Sequence, residues 1–172
     1  DDDEVNLLLT AMALRERGFN ITESSGGEHA LLLLADWAPD VIVLDAMMPG
    51  LDGFATCRRL RAMPGYENVP VLMLTGLDDD ASITRAYQAG ATDFFVKATQ
   101  WSLLAGRLQY LLRASRTRIE LVAYFQQQMR RRGYYDGPLD GQFNPAIDEA
   151  IANYREAIGM SKEPTIDEAL FK

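Results

Sequence analysis

Over the first hundred residues, short apolar runs alternate with stretches in which apolar positions recur every three or four residues. The runs are 19–22, 41–44, 69–74 and 94–96, and the third and fourth are almost unbroken, as strands buried on both faces should be. Between them, residues 5–17 place Val5, Leu8, Leu9 and Met12 on one face of a helix, and residues 28–35, 53–61 and 81–89 behave alike. Strand alternating with helix predicts a parallel sheet joined by right-handed crossovers. From Ser102 a helical pattern continues to about Arg132 with only Gly106 as an interruption, and Leu104, Leu108, Leu111, Ser115, Ile119 and Val122 follow at spacings of three and four. Residues 133–141, GYYDGPLDG, form a turn-rich segment. A helix is expected next from Asn144 or Pro145 to Ile158, with Asn144 as cap and Pro145 at its first position, and a last one from Thr165.

In an open α/β sheet, chemistry collects beyond the carboxyl ends of the strands. The run Val41-Ile42-Val43-Leu44 delivers Asp45 to such an end, with Pro49 and Gly50 setting the turn of the loop that follows. Thr75 and Lys97 hold the same place after the third and fourth runs. The acidic stretch Asp1-Asp2-Asp3-Glu4 lies just before the first helix, where another strand would end. Taken singly, Asp45 could be a helix cap, Thr75 a turn former and Lys97 a surface charge; together they place carboxylates, a hydroxyl and an amine on one edge. Clustered carboxylates make a hard-oxygen site suited to magnesium. A carboxylate held ionised there can attack a phosphoryl group, given a metal, a cation and hydrogen-bond donors around the transferred oxygens.

Composition narrows the class. The chain has 172 residues, of which 48% are hydrophobic, enough for a packed core, and no stretch approaches the roughly 20 apolar residues of a membrane span. No signal peptide is visible. A single cysteine, Cys57, excludes an internal disulfide framework and fits a reducing compartment, so a cytoplasmic protein is expected. A lone histidine, His29, leaves too few members for a His-based metal site or a Ser/His/Asp triad. The net charge of −8 is uneven: residues 101–132 carry seven arginines and one acid between two acidic segments. A solvated helix face explains this better than a nucleic-acid contact, which the flanking acids would oppose.

Residues 1–118 resemble the receiver domain of two-component response regulators. The resemblance rests on Asp1-Asp2, on LDAMMPGLDG at 44–53, on Leu74-Thr75-Gly76 and on AGATDFFVK at 89–97. It implies a flavodoxin-like, doubly wound, five-stranded parallel sheet. It further implies Asp45 as phosphoacceptor, Asp2, Asp45 and the carbonyl of Met47 as magnesium ligands, and Asp1 acting behind them or through water. Thr75 would be the switch hydroxyl, Lys97 the partner of the phosphoryl oxygens and Phe94 the aromatic rotamer switch. The phosphoryl group would come from a sensor histidine kinase or a phosphotransfer protein, the chain being a phosphoacceptor that supports its own magnesium-dependent transfer and not an enzyme in the usual sense. Phosphorylation would draw Thr75 inward, let Phe94 turn and remodel the surface of the last strand and its flanking helices. A haloacid-dehalogenase-type phosphatase is excluded, because Met47 stands where that family needs a second aspartate. Two departures count. Ala98 follows Lys97 where most receivers have a proline behind a cis peptide, which favours the alternative of a degenerate receiver acting as a phosphorylation-independent scaffold. A receiver's central first strand should also precede Asp1, so the chain is expected to be incomplete at its start.

Residues 119–172 are expected to form a small all-α module, and 125–159 resemble a peptidoglycan-binding-like domain, with Asn144 in place of the glycine usual after Phe143. A protein-interaction or dimerisation role for this module suits the expected compartment better than glycan binding. The long helix 102–132 could pair with a second copy along its three-four seam. Asp136 and Asp140 are explained by turn formation more simply than by calcium.

Overall fold

The structure is a computed structural model that describes residues 1–76, 80–97 and 101–166. The chain divides into two compact units, Asp1–Arg113 and Ala114–Lys172.

Three parallel strands organise the first unit: β1 (Ile42–Asp45), β2 (Val71–Thr75) and β3 (Asp93–Val96), side by side in that order. Asp45 lies opposite Leu74, and Thr75 opposite Val96, so the strands end together at one edge. Every residue of β2 is buried, which is why its sequence is apolar without alternation. Its side chains feed two layers in turn. Val71 and Met73 join Leu44, Phe54 and Leu60 on one face, and Leu72 and Leu74 join Leu14, Leu104 and Leu108 on the other. The covering helices are α1 (Glu4–Arg15), α2 (Gly27–Leu33), α3 (Gly53–Arg61), α4 (Asp80–Gln88) and the start of α5 (Trp101–Arg131). Two are capped by aspartates: Asp3 accepts from the N–H groups of Val5 and Asn6, and Asp52 from that of Ala55. The half-buried Arg61 ties α3 to the loops before β2 and β3, donating to the carbonyls of Tyr66, Val69 and Gly90, each at 2.8 Å.

Two expectations need correcting. Residues 19–22 have no strand partner, and the sheet has three strands among the described residues where the four apolar runs predict four. An apolar stretch becomes a strand only by pairing, and among the described residues no strand runs alongside this one. Phe19 and Ile21 still pack on the same layer as Val41 and Val43. Second, the face of α1 that carries Val5, Leu8, Leu9 and Met12 points to solvent, and the helix buries the smaller face of Ala11, Ala13 and Leu14. The first half of the α5 pattern packs within its own unit, Leu104, Leu108 and Leu111 lying in the layer against the sheet, and further along the helix Val122 is buried too.

In the second unit, Met129 and Tyr135 pack with Ile147, Ala150 and Ile151 of α6 (Pro145–Ala157). Asn144 caps α6 by accepting from the N–H of Ile147, with Pro145 opening the helix, as the sequence predicts. Gln126 is fully buried; its amide donates to Asp140 at 2.9 Å and to the carbonyl of Gln142 at 3.0 Å, and its oxygen accepts from the N–H of Gly141 at 2.9 Å. One side chain thereby folds the turn segment onto α5. Thr165 and Ile166 are irregular, and the rest of the helix expected from Thr165 lies outside the described residues. Among those described, no helix is long and apolar enough to cross a membrane.

Candidate functional site

Asp45 closes β1 and is 3% exposed. A carboxylate this deep needs partners, and it has two: Oδ1 accepts from the N–H of Met47 at 3.2 Å, and Oδ2 accepts from Nζ of Lys97 at 2.6 Å. Lys97 follows β3 and is steered there by the ladder, its N–H donating to the carbonyl of Thr75 at 2.7 Å. The same ammonium donates to Oδ2 of Asp1 at 3.1 Å and so bridges two acids that lie 44 residues apart in the sequence.

Oxygen atoms of Asp1, Asp2 and Asp45 all lie within 4.8 Å of one another. Three hard-oxygen donors around one point, one buried and two at the rim, fit a small divalent cation such as magnesium. Thr75 ends β2 beside them and is 5% exposed. The side chain of Met47 is exposed, so only its backbone can belong to the site. Phe94 is half-buried on β3, its ring edge-to-face with Tyr87 of α4 at 6.0 Å between centroids. The structure thus gathers Asp1, Asp2, Asp45, Thr75 and Lys97 at one edge and sets Phe94 against α4. The Lys97-Ala98 link, on which the cis-peptide question turns, lies outside the described residues.

Sequence reasoning missed the packing role of Gly53. A Cβ there would stand 1.9 Å from the carbonyl oxygen of Asp45, so α3 can start against the strand end only with glycine at its first position. The sequence places Gly53 at the start of a helix and at the end of the 44–53 motif, but nothing in it shows that the strand end approaches so closely. The remaining reactive groups stand apart from this chemistry. Cys57 is buried in α3, and burial pushes its thiol up, with Arg61 and Arg58 acting in the opposite direction. His29 meets the hydroxyl of Ser24 at 3.2 Å on the surface.

Comparison with known proteins agrees with this geometry. The family described as the response regulator receiver domain matches residues 1–109. The transcriptional regulatory protein AfsQ1 of Streptomyces coelicolor is 37% identical over 66% of this chain and 48% of its own length. The response regulator PleD of Caulobacter vibrioides is 33% identical over 82% of this chain and 30% of its own. This chain therefore spans half or less of these curated relatives. Among solved structures, the receiver domain of a signal transduction histidine kinase from Syntrophus aciditrophicus superposes with a TM-score of 0.62 at 32% identity, covering 66% of this chain and 86% of that one. With the family match extending over more than half of its length, the chain belongs to the response regulator receiver domain family.

Proposed function

We propose that Asp45 accepts a phosphoryl group from the phosphohistidine of a sensor kinase or phosphotransfer protein, and that the chain is a switch in two-component signalling. The observation that carries this reading is Nζ of Lys97 at 2.6 Å from the buried Oδ2 of Asp45, across 52 residues of sequence. In the transfer, a carboxylate oxygen of Asp45 forms a bond to phosphorus as the phosphorus–nitrogen bond breaks. The electron pair stays with the imidazole, which takes up a proton. Lys97 then exchanges part of its contact with Asp45 for a phosphoryl oxygen, and the Thr75 hydroxyl and backbone N–H groups beyond β1 supply hydrogen bonds. Asp2, Asp45 and the carbonyl of Met47 would hold magnesium, with Asp1 behind them or through water; a bound ion would supply neutralisation of charge on the transferred oxygens.

The response is a population shift. Thr75 moves toward the phosphoryl group, Phe94 leaves its edge contact with Tyr87 and turns inward, and the surface of α4, β3 and α5 changes. Residues 1–118 act as the receiver, in the cytoplasm, and 119–172 as a helical output module that contacts protein. The transcriptional role in the name of AfsQ1 stays with that protein.

The test is incubation with acetyl phosphate and magnesium, followed by intact mass analysis. A gain of one phosphoryl group, stable to acid and labile to base, is expected in the wild type and absent in Asp45→Ala. A gain that survives the substitution overturns the site; no gain in the wild type points to a scaffold that works without phosphorylation.

A further inference from the structure

Helix α1 has apolar residues on two faces. Ala11 and Leu14 turn toward the sheet, whereas Val5, Leu8, Leu9 and Met12 are 66%, 51%, 47% and 51% exposed. Four large apolar side chains on one exposed stripe of a helix are not ordinary surface. Reversing the direction of the stripe reproduces it. In an antiparallel pair centred between Leu8 and Leu9, Val5 of one copy faces Met12 of the other and Leu8 faces Leu9, so no apolar residue meets a polar one.

Charge selects the same direction. The amino end of α1 carries Asp3 and Glu4, while the carboxyl end carries Arg15, Glu16 and Arg17 and is net positive. Arg15 is bonded to Glu23 of its own chain yet its side chain remains 46% exposed. An antiparallel pair brings each acidic end to a basic one and opposes the two helix dipoles; a parallel pair would set acid against acid. Self-complementarity of this kind belongs to an isologous two-fold contact.

We propose that the α1 stripe is the docking surface for a second copy of this chain, paired antiparallel so that residue numbers in contact sum to about 17. Four side chains per copy cover less than the roughly 800 Å² per partner of a standard stable interface, so the association is weak, with a dissociation constant on the order of 0.1 mM. It relies on no atom of Asp45 or Lys97, and it stands whether or not Asp45 takes up a phosphoryl group.

Sedimentation equilibrium of the full chain between about 10 μM and 1 mM is expected to show a reversible monomer–dimer system. Leu8→Glu should raise the dissociation constant at least about tenfold, which like-charge repulsion across the two-fold readily supplies. Because Leu8 is exposed, helix content and uptake from acetyl phosphate should not change. Register is tested by cysteine cross-linking: Val5→Cys mixed with Met12→Cys should form an intermolecular disulfide under mild oxidation, and Val5→Cys alone should not, since its two copies lie about 10 Å apart along the axis. The buried Cys57 stays out of this reaction. A wild-type chain that remains monomeric throughout, or a Val5→Cys variant that cross-links as fast as the mixture, overturns the proposal. So does a Leu8→Glu chain that still self-associates but accepts phosphoryl more slowly from a histidine kinase, which would give the stripe to the donor.

Discussion

Gly53 and Asp45 touch through their backbones: any Cβ on Gly53 would stand 1.9 Å from the carbonyl oxygen of Asp45 and 2.8 Å from its carbonyl carbon. The N–H of Gly53 also donates to the carbonyl of Ala46 at 3.1 Å, so the start of α3 is locked to the strand end that carries the carboxylate. Backbone atoms cannot swing aside as a side-chain tip can. Gly53→Ala must therefore push α3 away from β1, at a cost of about 1–3 kcal/mol for overpacking. Thermal denaturation should show a midpoint several degrees lower, and phosphorylation by acetyl phosphate should slow as Asp45 shifts relative to Lys97. An alanine variant that melts and reacts like the wild type would show that this close approach does not position the site.

Much of the first unit could be read from the sequence because apolar runs and helical periods are local signals. Helix α3 starts and ends where its period predicts, and the residues that meet at the edge follow from strands running parallel. What could not be read depends on neighbours. Residues 19–22 are as apolar as a strand, but pairing is a property of two segments. The stripe of Val5, Leu8, Leu9 and Met12 reads as a core face, since periodicity shows that a helix has an apolar side but not which side the sheet covers. In α1 the sheet covers small residues instead. Gln126 gave no signal either, because a glutamine among polar neighbours on a helix reads as surface, and only the turn folded over it makes it core.

Lys97 separates binding from chemistry at the site. Its ammonium sits between Asp45 and Asp1 and competes with any metal for the same oxygens. Lys97→Met removes that competitor and leaves the three acids together. Magnesium should bind the variant at least as tightly as the wild type by titration calorimetry, while phosphorylation slows by about 10²-fold or more, the scale of losing one charged contact to a transferring group. Weaker magnesium binding in Lys97→Met would mean that the lysine organises the acids and does not act on the phosphoryl group.

Arg61 makes a prediction about shape as well as charge. Three carbonyls, from Tyr66, Val69 and Gly90, accept from one planar guanidinium, and burial lowers its affinity for the proton without removing the charge. Lysine preserves the charge but cannot present donors in three directions along the same fork. Arg61→Lys should lose about 2–4 kcal/mol of stability in urea unfolding, close to the loss in Arg61→Ala, because two or more carbonyls go without a donor in either variant. If lysine restores most of the stability lost in the alanine variant, the contribution is charge alone.

Asp140 gives the second unit a dependence on acidity. Its Oδ1 accepts from the amide of Gln126 and from the N–H of Gln142, both at 2.9 Å, and these bonds hold its carboxyl below the usual carboxylate range, Gln126 contributing most. The unfolded chain therefore binds this proton at a higher pH than the folded one. The stabilisation is complete above the unfolded value of about 3.9 and is lost as the pH falls through it toward the lower folded value. Asp140→Asn retains the shape but not the charge, so it should melt below the wild type at pH 6, and the difference should narrow as both are taken into acid below the unfolded value. A gap that stays constant over this range, or widens in acid, would show that the Gln126 bond does not depend on the ionised carboxylate.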